Sequence, residues 1–271
     1  MSEAFNPIDQ TRIAYTEAGE GTPLVLVHGS GLSRAMWRGL GYVTALRDDY
    51  RLILVDLRGH GLSGKPHNPD DYRMELVTAD LLAVLDASGV ERAHYFGYSF
   101  GARAGFSLAA AHPERMLSFI SAAGSYRAPG NSVGRLFFPE YDEALGSGGM
   151  RAFLGGWESR TGTSIDPATT AAFLANDPQA IQAYFRRVGV EPGIDEEHLR
   201  TIGLPTLLLA GTDDRRAFID SEHAAEVMPN ARFVPLPGRN HGSTLRPAAG
   251  VVEVVRAFLA EQPAPCEIST P

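Results

Sequence analysis

Short apolar runs and helix-type segments alternate along most of this chain, and the alternation limits the folds open to it. Runs rich in Val, Leu, Ile and Phe occupy residues 23–29, 51–57, 93–99, 116–124, 205–211 and 231–238. Helix-type segments lie at residues 36–47, 72–88, 100–112, 218–228 and 248–261. Apolar strands that alternate with helices are typical of a mostly parallel sheet covered by helices on both faces. An extended stretch at residues 11–17 predicts antiparallel edge strands.

The alternation stops between residues 125 and 203. That segment contains glycine-rich turns and helix-like pieces but no strong strand run. We therefore predict a helical insertion at 125–203 in a sheet domain formed by residues 1–124 and 204–262. A polar tail at 263–271 carries Cys266, the single cysteine. A lone cysteine without ligand partners is expected to be a bystander.

Charge and composition exclude several function classes. A net charge of −8 disfavours binding to nucleic acid or to anionic lipid. No apolar run approaches the roughly 18 residues of a spanning helix, and the first ten residues lack a signal-peptide pattern. The histidines outside the later motifs lack metal-ligand spacing. We expect a cytoplasmic, bacterial protein that acts on a small molecule without a metal or cofactor; its oligomeric state is left open.

Reactive residue types follow three of the predicted strands. Ser99 stands between Gly97 and Gly101 in the pentapeptide GYSFG, and a sharp strand-to-helix turn requires neighbours without Cβ. Two adjacent aspartates, 213 and 214, follow the run at 205–211, and His241 follows the run at 231–238. The order Ser, Asp, His after separate strands is typical of a nucleophile elbow. Because the carboxyl ends of parallel strands meet at one edge, these residues are expected to form one site.

With the motifs HGSG at 28–31, DLRGHGLSGKP at 56–66, AGTDD at 210–214 and GRNHG at 238–242, the chain resembles the α/β-hydrolase superfamily over residues 10–262. The resemblance implies an α/β-hydrolase fold with a helical cap after the sixth strand. It implies Ser99 as nucleophile and His241 as its base, with Asp214 orienting the imidazole and Asp213 held in reserve.

The same resemblance supplies the remaining site. The backbone N–H of Phe100, at a helix N-terminus, and that of Ser30 would form the oxyanion hole. The polar loop of Asp56, Arg58 and His60 would be structural. Aromatic residues of the insertion predict an apolar roof over Ser99. The expected pocket residues are Gly31, Leu32, Trp37, Tyr126 and Trp157.

These features predict a serine hydrolase that cleaves small to medium uncharged esters or lactones through an acyl-enzyme. Charged substrates are expected to be poor unless a cap arginine such as Arg127 turns inward. Carbon–carbon bond hydrolysis and cofactor-free perhydrolysis are alternatives on the same fold, although Gly242 stands where many ring-cleavage hydrolases carry Trp. Less favoured alternatives are a non-catalytic ligand-binding relative and an NAD-dependent oxidoreductase, for which Gly29, Gly31 and Asp56 give an incomplete fingerprint.

Overall fold

The computed structural model describes residues 1–127 and 130–262, so the predicted tail and Cys266 lie outside the described residues. The chain forms an eight-stranded sheet in the order β1-β2-β4-β3-β5-β6-β7-β8. Strands β1 and β2 are antiparallel, and β3 to β8 run parallel to one another. The strands are β1 (Ser2–Phe5), β2 (Arg12–Ala18), β3 (Thr22–Val27), β4 (Tyr50–Val55), β5 (Ala93–Tyr98), β6 (Met116–Ala122), β7 (Thr206–Gly211) and β8 (Ala231–Leu236).

Helices cover both faces of this sheet. The α-helices are α1 (Ala35–Gly39), α2 (Tyr42–Leu46), α3 (Met74–Ala87), α4 (Phe100–Ala111), α5 (Ser132–Leu136), α6 (Tyr141–Thr161), α7 (Pro167–Leu174), α8 (Pro178–Val188), α9 (Glu196–Thr201), α10 (Arg215–Val227) and α11 (Ala248–Ala260). Alternate residues of β3 enter different hydrophobic clusters: Val25 and Val27 pack with α3 and α4, whereas Leu24 and Leu26 pack with α2 and α11. The predicted α/β architecture is confirmed.

Two helix boundaries differ from the sequence prediction. The segment predicted as one helix at residues 36–47 forms two short helices, because Gly41 between them has a φ of 88°, in the left-handed region. Helix α10 begins at Arg215, three residues before the predicted start. Asp214 caps it, since its side chain accepts a hydrogen bond from the N–H of Ala217 at 3.4 Å.

Helices α5 to α9 follow β6 and precede β7, in the segment predicted as an insertion. Its aromatic rings pack chiefly on one another: the Phe153 ring centroid lies 5.1 Å from that of Phe137 and 5.6 Å from that of Phe185. The division of the chain into two units at residues 124 and 203 stays a prediction. Among the helices described, none is long and apolar enough to cross a membrane.

Candidate active site

Ser99 occupies a strained turn between β5 and α4. Its backbone has φ 54° and ψ −114°, which a residue with a Cβ rarely adopts. A Cβ at Gly97 would lie 2.4 Å from the carbonyl oxygen of Gly101, and one at Gly101 would lie 2.4 Å from that of Val27. The two glycines of the pentapeptide are therefore required by backbone packing. The tight turn leaves the Ser99 side chain at the carboxyl edge of the sheet.

The three residues expected to act together lie within hydrogen-bond distance. Ser99 Oγ lies 2.8 Å from His241 Nε2, and His241 Nδ1 lies 2.7 Å from Asp214 Oδ2. In the tautomer these contacts favour, Nδ1–H donates to the carboxylate and Nε2 accepts from the serine hydroxyl. Such a chain of contacts can remove the hydroxyl proton as the oxygen attacks an electrophile.

The loop after β8 holds His241 in position. The hydroxyl of Tyr98 donates to the carbonyl oxygen of His241 at 2.8 Å, and Asn240 caps the short 3-10 helix His241–Ser243. Of the two candidate aspartates, Asp214 is the one at the imidazole. Asp213 is exposed, and its carboxylate contacts the hydroxyl of Thr212 at 3.4 Å.

Two backbone N–H groups beside Ser99 are free to bind a developing oxyanion. The Phe100 N–H opens helix α4, where no carbonyl of the same helix can accept from it. Neither this group nor the Ser30 N–H has a hydrogen-bond acceptor among the described residues. A Cβ added to Gly29 would lie 3.0 Å from Ser99 Cβ, so the loop carrying Ser30 lies directly against the serine.

The insertion and a buried histidine hold the loop that carries Ser30, which is named the oxyanion loop after the role expected for the Ser30 N–H. The N–H of Gly31 donates to His60 Nε2 at 3.1 Å, and the Asn176 side-chain amide donates to the Gly31 carbonyl oxygen at 2.8 Å. Ser30 Oγ lies 2.7 Å from the hydroxyl of Tyr184. Asn176 and Tyr184 belong to the insertion, so part of the site's geometry depends on it.

The histidines beneath the loop are neutral. Burial lowers the pKa of His28 to about 4 and that of His60 to about 3. Each ring accepts a backbone N–H at Nε2, His28 from Leu57 and His60 from Gly31, both at 3.1 Å. Since an imidazolium could not accept these bonds, the neutral rings support the loop.

The neighbouring polar loop is engaged in structural contacts. Asp56 pairs with Arg34 and accepts the backbone N–H of Leu62 at 2.9 Å. Arg58 is buried against Asp80, with Nε 2.6 Å from the carboxylate. The polar groups of this loop are therefore engaged within the fold. A Cβ at Gly61 would lie 2.2 Å from the Asp56 carboxylate, so no space remains beside that carboxylate for a nucleotide ribose.

A cavity of about 590 Å³ adjoins the Ser99 hydroxyl, within the range of small-molecule sites. Its apolar wall comes mainly from the insertion: Val133, Leu136, Phe137, Phe185 and Val188. The remaining lining is rich in charge and includes Arg103, Arg127, Arg135, Arg215, Arg216 and Asp220. Part of the lining is thus the apolar roof that the sequence predicted, and another part carries positive charge.

None of the five expected pocket residues lines this cavity. Trp37 is fully buried on the opposite face of the sheet against Tyr42 and Phe96, and Leu32 packs between the two hydrophobic clusters.

The other three expected pocket residues are used in packing. Tyr126 stacks on His223, and Trp157 packs within the insertion on Phe137. The space beside Gly31 is filled by Phe173, to which a Cβ there would approach 2.4 Å. These expectations failed because the large rings near the site are needed for cores.

Sequence reasoning missed the groups that the insertion and α10 bring to the site. Asn176, Arg135 and Arg216 belong to no motif. Tyr184 counted only among the aromatic residues of the insertion, which predicted an apolar roof and not a contact to Ser30. Within residues 1–127 and 130–262 there is no cluster of His, Cys, Asp and Glu suited to a metal ion.

Comparisons with known proteins identify the family and related folds. A family model described as alpha/beta hydrolase fold matches residues 22–146. RutD of Azorhizobium caulinodans, provisionally named a carbamate hydrolase, is 31% identical over 240 residues, which cover 84% of this chain and 87% of the relative. The esterase RhEst1 from Rhodococcus sp. ECU1013 has a TM-score of 0.80 at 30% identity, covering 97% of this chain and 99% of that one. The enol-lactonase from Burkholderia xenovorans LB400 has a TM-score of 0.81 at 24% identity, covering 96% and 100%, and supports the fold alone.

Proposed function

The chain belongs to the α/β-hydrolase family and is a hydrolase, and we propose that it cleaves carboxylic esters or lactones through an acyl-enzyme formed on Ser99. The observation that carries the proposal is the pair of contacts at His241, 2.8 Å to Ser99 Oγ and 2.7 Å to Asp214 Oδ2. An ordinary serine hydroxyl is a weak nucleophile, and this arrangement supplies the base it needs.

In the first half-reaction Ser99 Oγ attacks the substrate carbonyl carbon while His241 Nε2 takes the hydroxyl proton. The carbonyl oxygen becomes an oxyanion that the N–H groups of Ser30 and Phe100 stabilise. Asp214 stabilises the imidazolium, which then gives its proton to the leaving alkoxide as the carbon–oxygen bond breaks. An acyl group remains on Ser99.

In the second half-reaction a water molecule replaces the alcohol. His241 takes a proton from this water as its oxygen attacks the acyl carbon, and the imidazolium returns that proton to Ser99 Oγ as the acyl bond breaks. The products are a carboxylic acid and the free enzyme. For a lactone the alcohol formed in the first half-reaction remains part of the acyl chain, so the single product is a hydroxy acid.

A carbamate is a second candidate substrate class. RutD of Azorhizobium caulinodans, a relative over most of both chains, is provisionally named for this activity. The same serine could attack a carbamate carbonyl, which is less electrophilic than that of an ester. The oxidoreductase alternative is wrong, because the family is a hydrolase family and Asp56 is engaged by Arg34.

The test is covalent labelling by a fluorophosphonate together with turnover of p-nitrophenyl acetate and butyrate. The wild type should be labelled on Ser99 and should hydrolyse these esters. Ser99→Ala should lose labelling, and its kcat should fall by about a million-fold, down to background.

Ser107→Ala provides the matched control, since Ser107 lies on the same helix and outside the cavity lining. It should keep both labelling and turnover. Labelled wild type without ester hydrolysis would move the reaction to carbamate, perhydrolase or carbon–carbon chemistry. Substantial turnover by Ser99→Ala would overturn the assignment of the nucleophile.

A further inference from the structure

Three arginines form one wall of the active-site cavity, and we call Arg127, Arg135 and Arg216 the arginine wall. They come from separate parts of the chain: the loop after β6, helix α5 and helix α10. All three line the cavity that contains Ser99 and His241. The wall also borders a second depression, which Asp195 lines as well.

Asp220 is the acidic side chain that pairs with these arginines. Its carboxylate lies 3.6 Å from Arg127 Nη1 and 3.8 Å from Arg216 Nε, which is longer than a direct hydrogen bond. The nearer partner of the carboxylate is the hydroxyl of Ser125, which donates to it. Asp220 therefore neutralises one of three positive charges and forms a two-point bond with neither arginine.

Arg135 adds a charge without a direct ion pair in the described part of the chain. It is exposed and has no ion-pair partner among residues 1–127 and 130–262. Burial lowers the pKa of the Arg216 guanidinium; the charges of Asp220 and Asp214 oppose this effect, and the positive charge of Arg135 adds to it. The two guanidinium groups are thus close enough to repel each other. An anion between them would relieve this repulsion.

Two members of the wall are held in place before any ligand arrives. Arg127 Nε donates to the Tyr126 hydroxyl at 2.8 Å, and its guanidinium lies 5.1 Å from the centroid of that ring. Arg216 Nη2 donates to the carbonyl oxygen of Arg127 at 3.2 Å. A preordered guanidinium loses less entropy when it binds a ligand.

Resting on the proposed serine-hydrolase function, we propose that the arginine wall binds a carboxylate, and that the substrate is an ester, lactone or carbamate carrying a carboxylate apart from the scissile carbonyl. The two oxygens of a carboxylate match the fork of a guanidinium. The apolar wall of the cavity would contact the carbon chain between the two groups. From the sequence, charged substrates are expected to be poor unless a cap arginine such as Arg127 turns inward. Arg127 does line the cavity.

The experiment compares monomethyl adipate with dimethyl adipate, which differ in one remote carboxylate, by methanol release at fixed ionic strength. In the wild type, kcat/KM for the monoester should exceed that for the diester by about ten- to a hundredfold. Arg135→Gln should lower this ratio by about tenfold. Arg160→Gln removes an exposed insertion arginine outside the cavity lining and should leave both rates unchanged.

A binding measurement separates this proposal from the function it rests on. Calorimetric titration of Ser99→Ala should give tighter binding of monomethyl adipate than of dimethyl adipate, and added Arg135→Gln should remove the difference. A wild-type ratio near one, or a ratio that Arg135→Gln leaves intact, overturns the arginine wall as a carboxylate site. If Ser99 is neither labelled nor needed for turnover, the proposed function fails, while the titration still decides whether the wall binds a carboxylate.

Discussion

The two sides of the cavity differ in how completely their polar side chains are paired with one another. On the sheet side, Ser99 and Asp214 follow strand ends and contact His241 at 2.8 and 2.7 Å. On the other side, Arg127 approaches its acid only to 3.6 Å, and Arg135 has no such partner among the described residues. The groups proposed for bond breaking are fixed by backbone geometry, whereas those proposed for recognition are long side chains with unused bonding capacity.

The difference is what the two tasks require. Reacting groups must stand within a fraction of an ångström of their working positions, so strand ends and tight turns suit them. A recognition surface must exchange partners, and a guanidinium already saturated by a carboxylate could not bind a ligand. Asn176 and Tyr184 join the two sides, because they extend from the insertion to the oxyanion loop.

After removal of the Ser99 hydroxyl, the largest loss of activity is expected from altering Asp214, the carboxylate on the sheet side. Asp214→Asn should lower kcat by about ten-thousand-fold, because the amide cannot stabilise the imidazolium and favours the wrong imidazole tautomer. Asp213→Asn, a neighbour with an exposed carboxylate, is the control and should stay within a fewfold of wild type. Steady-state kinetics on p-nitrophenyl butyrate measures both. The reverse ranking would assign the role to Asp213.

The link between the two sides is tested by removing one hydroxyl. Tyr184→Phe deletes the contact to Ser30 Oγ but keeps the buried ring. A hydrogen bond of this kind is worth about 1 kcal/mol, so kcat should fall about five- to tenfold with little change in KM. Tyr141→Phe changes another insertion tyrosine, whose hydroxyl makes no hydrogen bond to the described residues, and should have no effect. Equal kinetics for the two variants would mean that the insertion does not position the oxyanion loop.

The apolar part of the insertion side should respond to substrate length. Across p-nitrophenyl esters from acetate upward, kcat/KM should rise about fourfold per methylene, then fall once the cavity is full. Val133→Phe fills part of the cavity and should shift the optimum to shorter acyl chains. Val190→Phe, at a residue 73% exposed and outside the cavity, is the control. A steady rise up to palmitate would indicate an open groove instead of a closed roof.

The free energy of unfolding should depend on pH, because the buried histidines of the sheet domain are neutral in the folded protein. Burial lowers the pKa of His94 to about 4. Between that value and about 6.5 the unfolded chain binds the proton that the folded chain excludes. Stability should therefore be lost as pH falls from about 6.5 toward 4, by about 1.4 kcal/mol per unit for each such histidine.

Urea unfolding of the wild type, His94→Gln and His112→Gln at pH 7 and pH 5 measures this smallest effect. His94→Gln removes one buried titrating ring and should reduce the loss between the two pH values by about 1 to 2 kcal/mol. His112, with a side chain that is 40% exposed, is the control, and His112→Gln should lose as much stability as the wild type. Equal losses in all three proteins would exclude His94 as a source of acid sensitivity.

Local patterns made the sheet predictable. The six strand runs lie within two residues of β3 to β8 at each end, because nearly continuous apolar segments have few other ways to be buried. The errors in helix boundaries arose where one residue determines the end of a helix. Gly41 separates two helices that were predicted as one, and Asp214 caps α10 three residues before the predicted start. Neither residue type alone specifies its conformation, since glycine also occurs within helices and aspartate also occurs in turns.

The sequence by itself determined which groups stand at the carboxyl edge of the sheet, because a motif that follows a strand inherits its position from the strand. Ser99, His241 and the aspartate pair at 213 and 214 were placed on that ground, and the choice of Asp214 came from the family resemblance. Only the tertiary structure decided what surrounds them. Trp37, Tyr126 and Trp157 were expected in the pocket, but their rings were needed in cores on other faces. Arg127, Arg135 and Arg216 line one cavity because a loop and two helices converge there, and no local pattern links Arg216 to the other two, which lie far earlier in the chain.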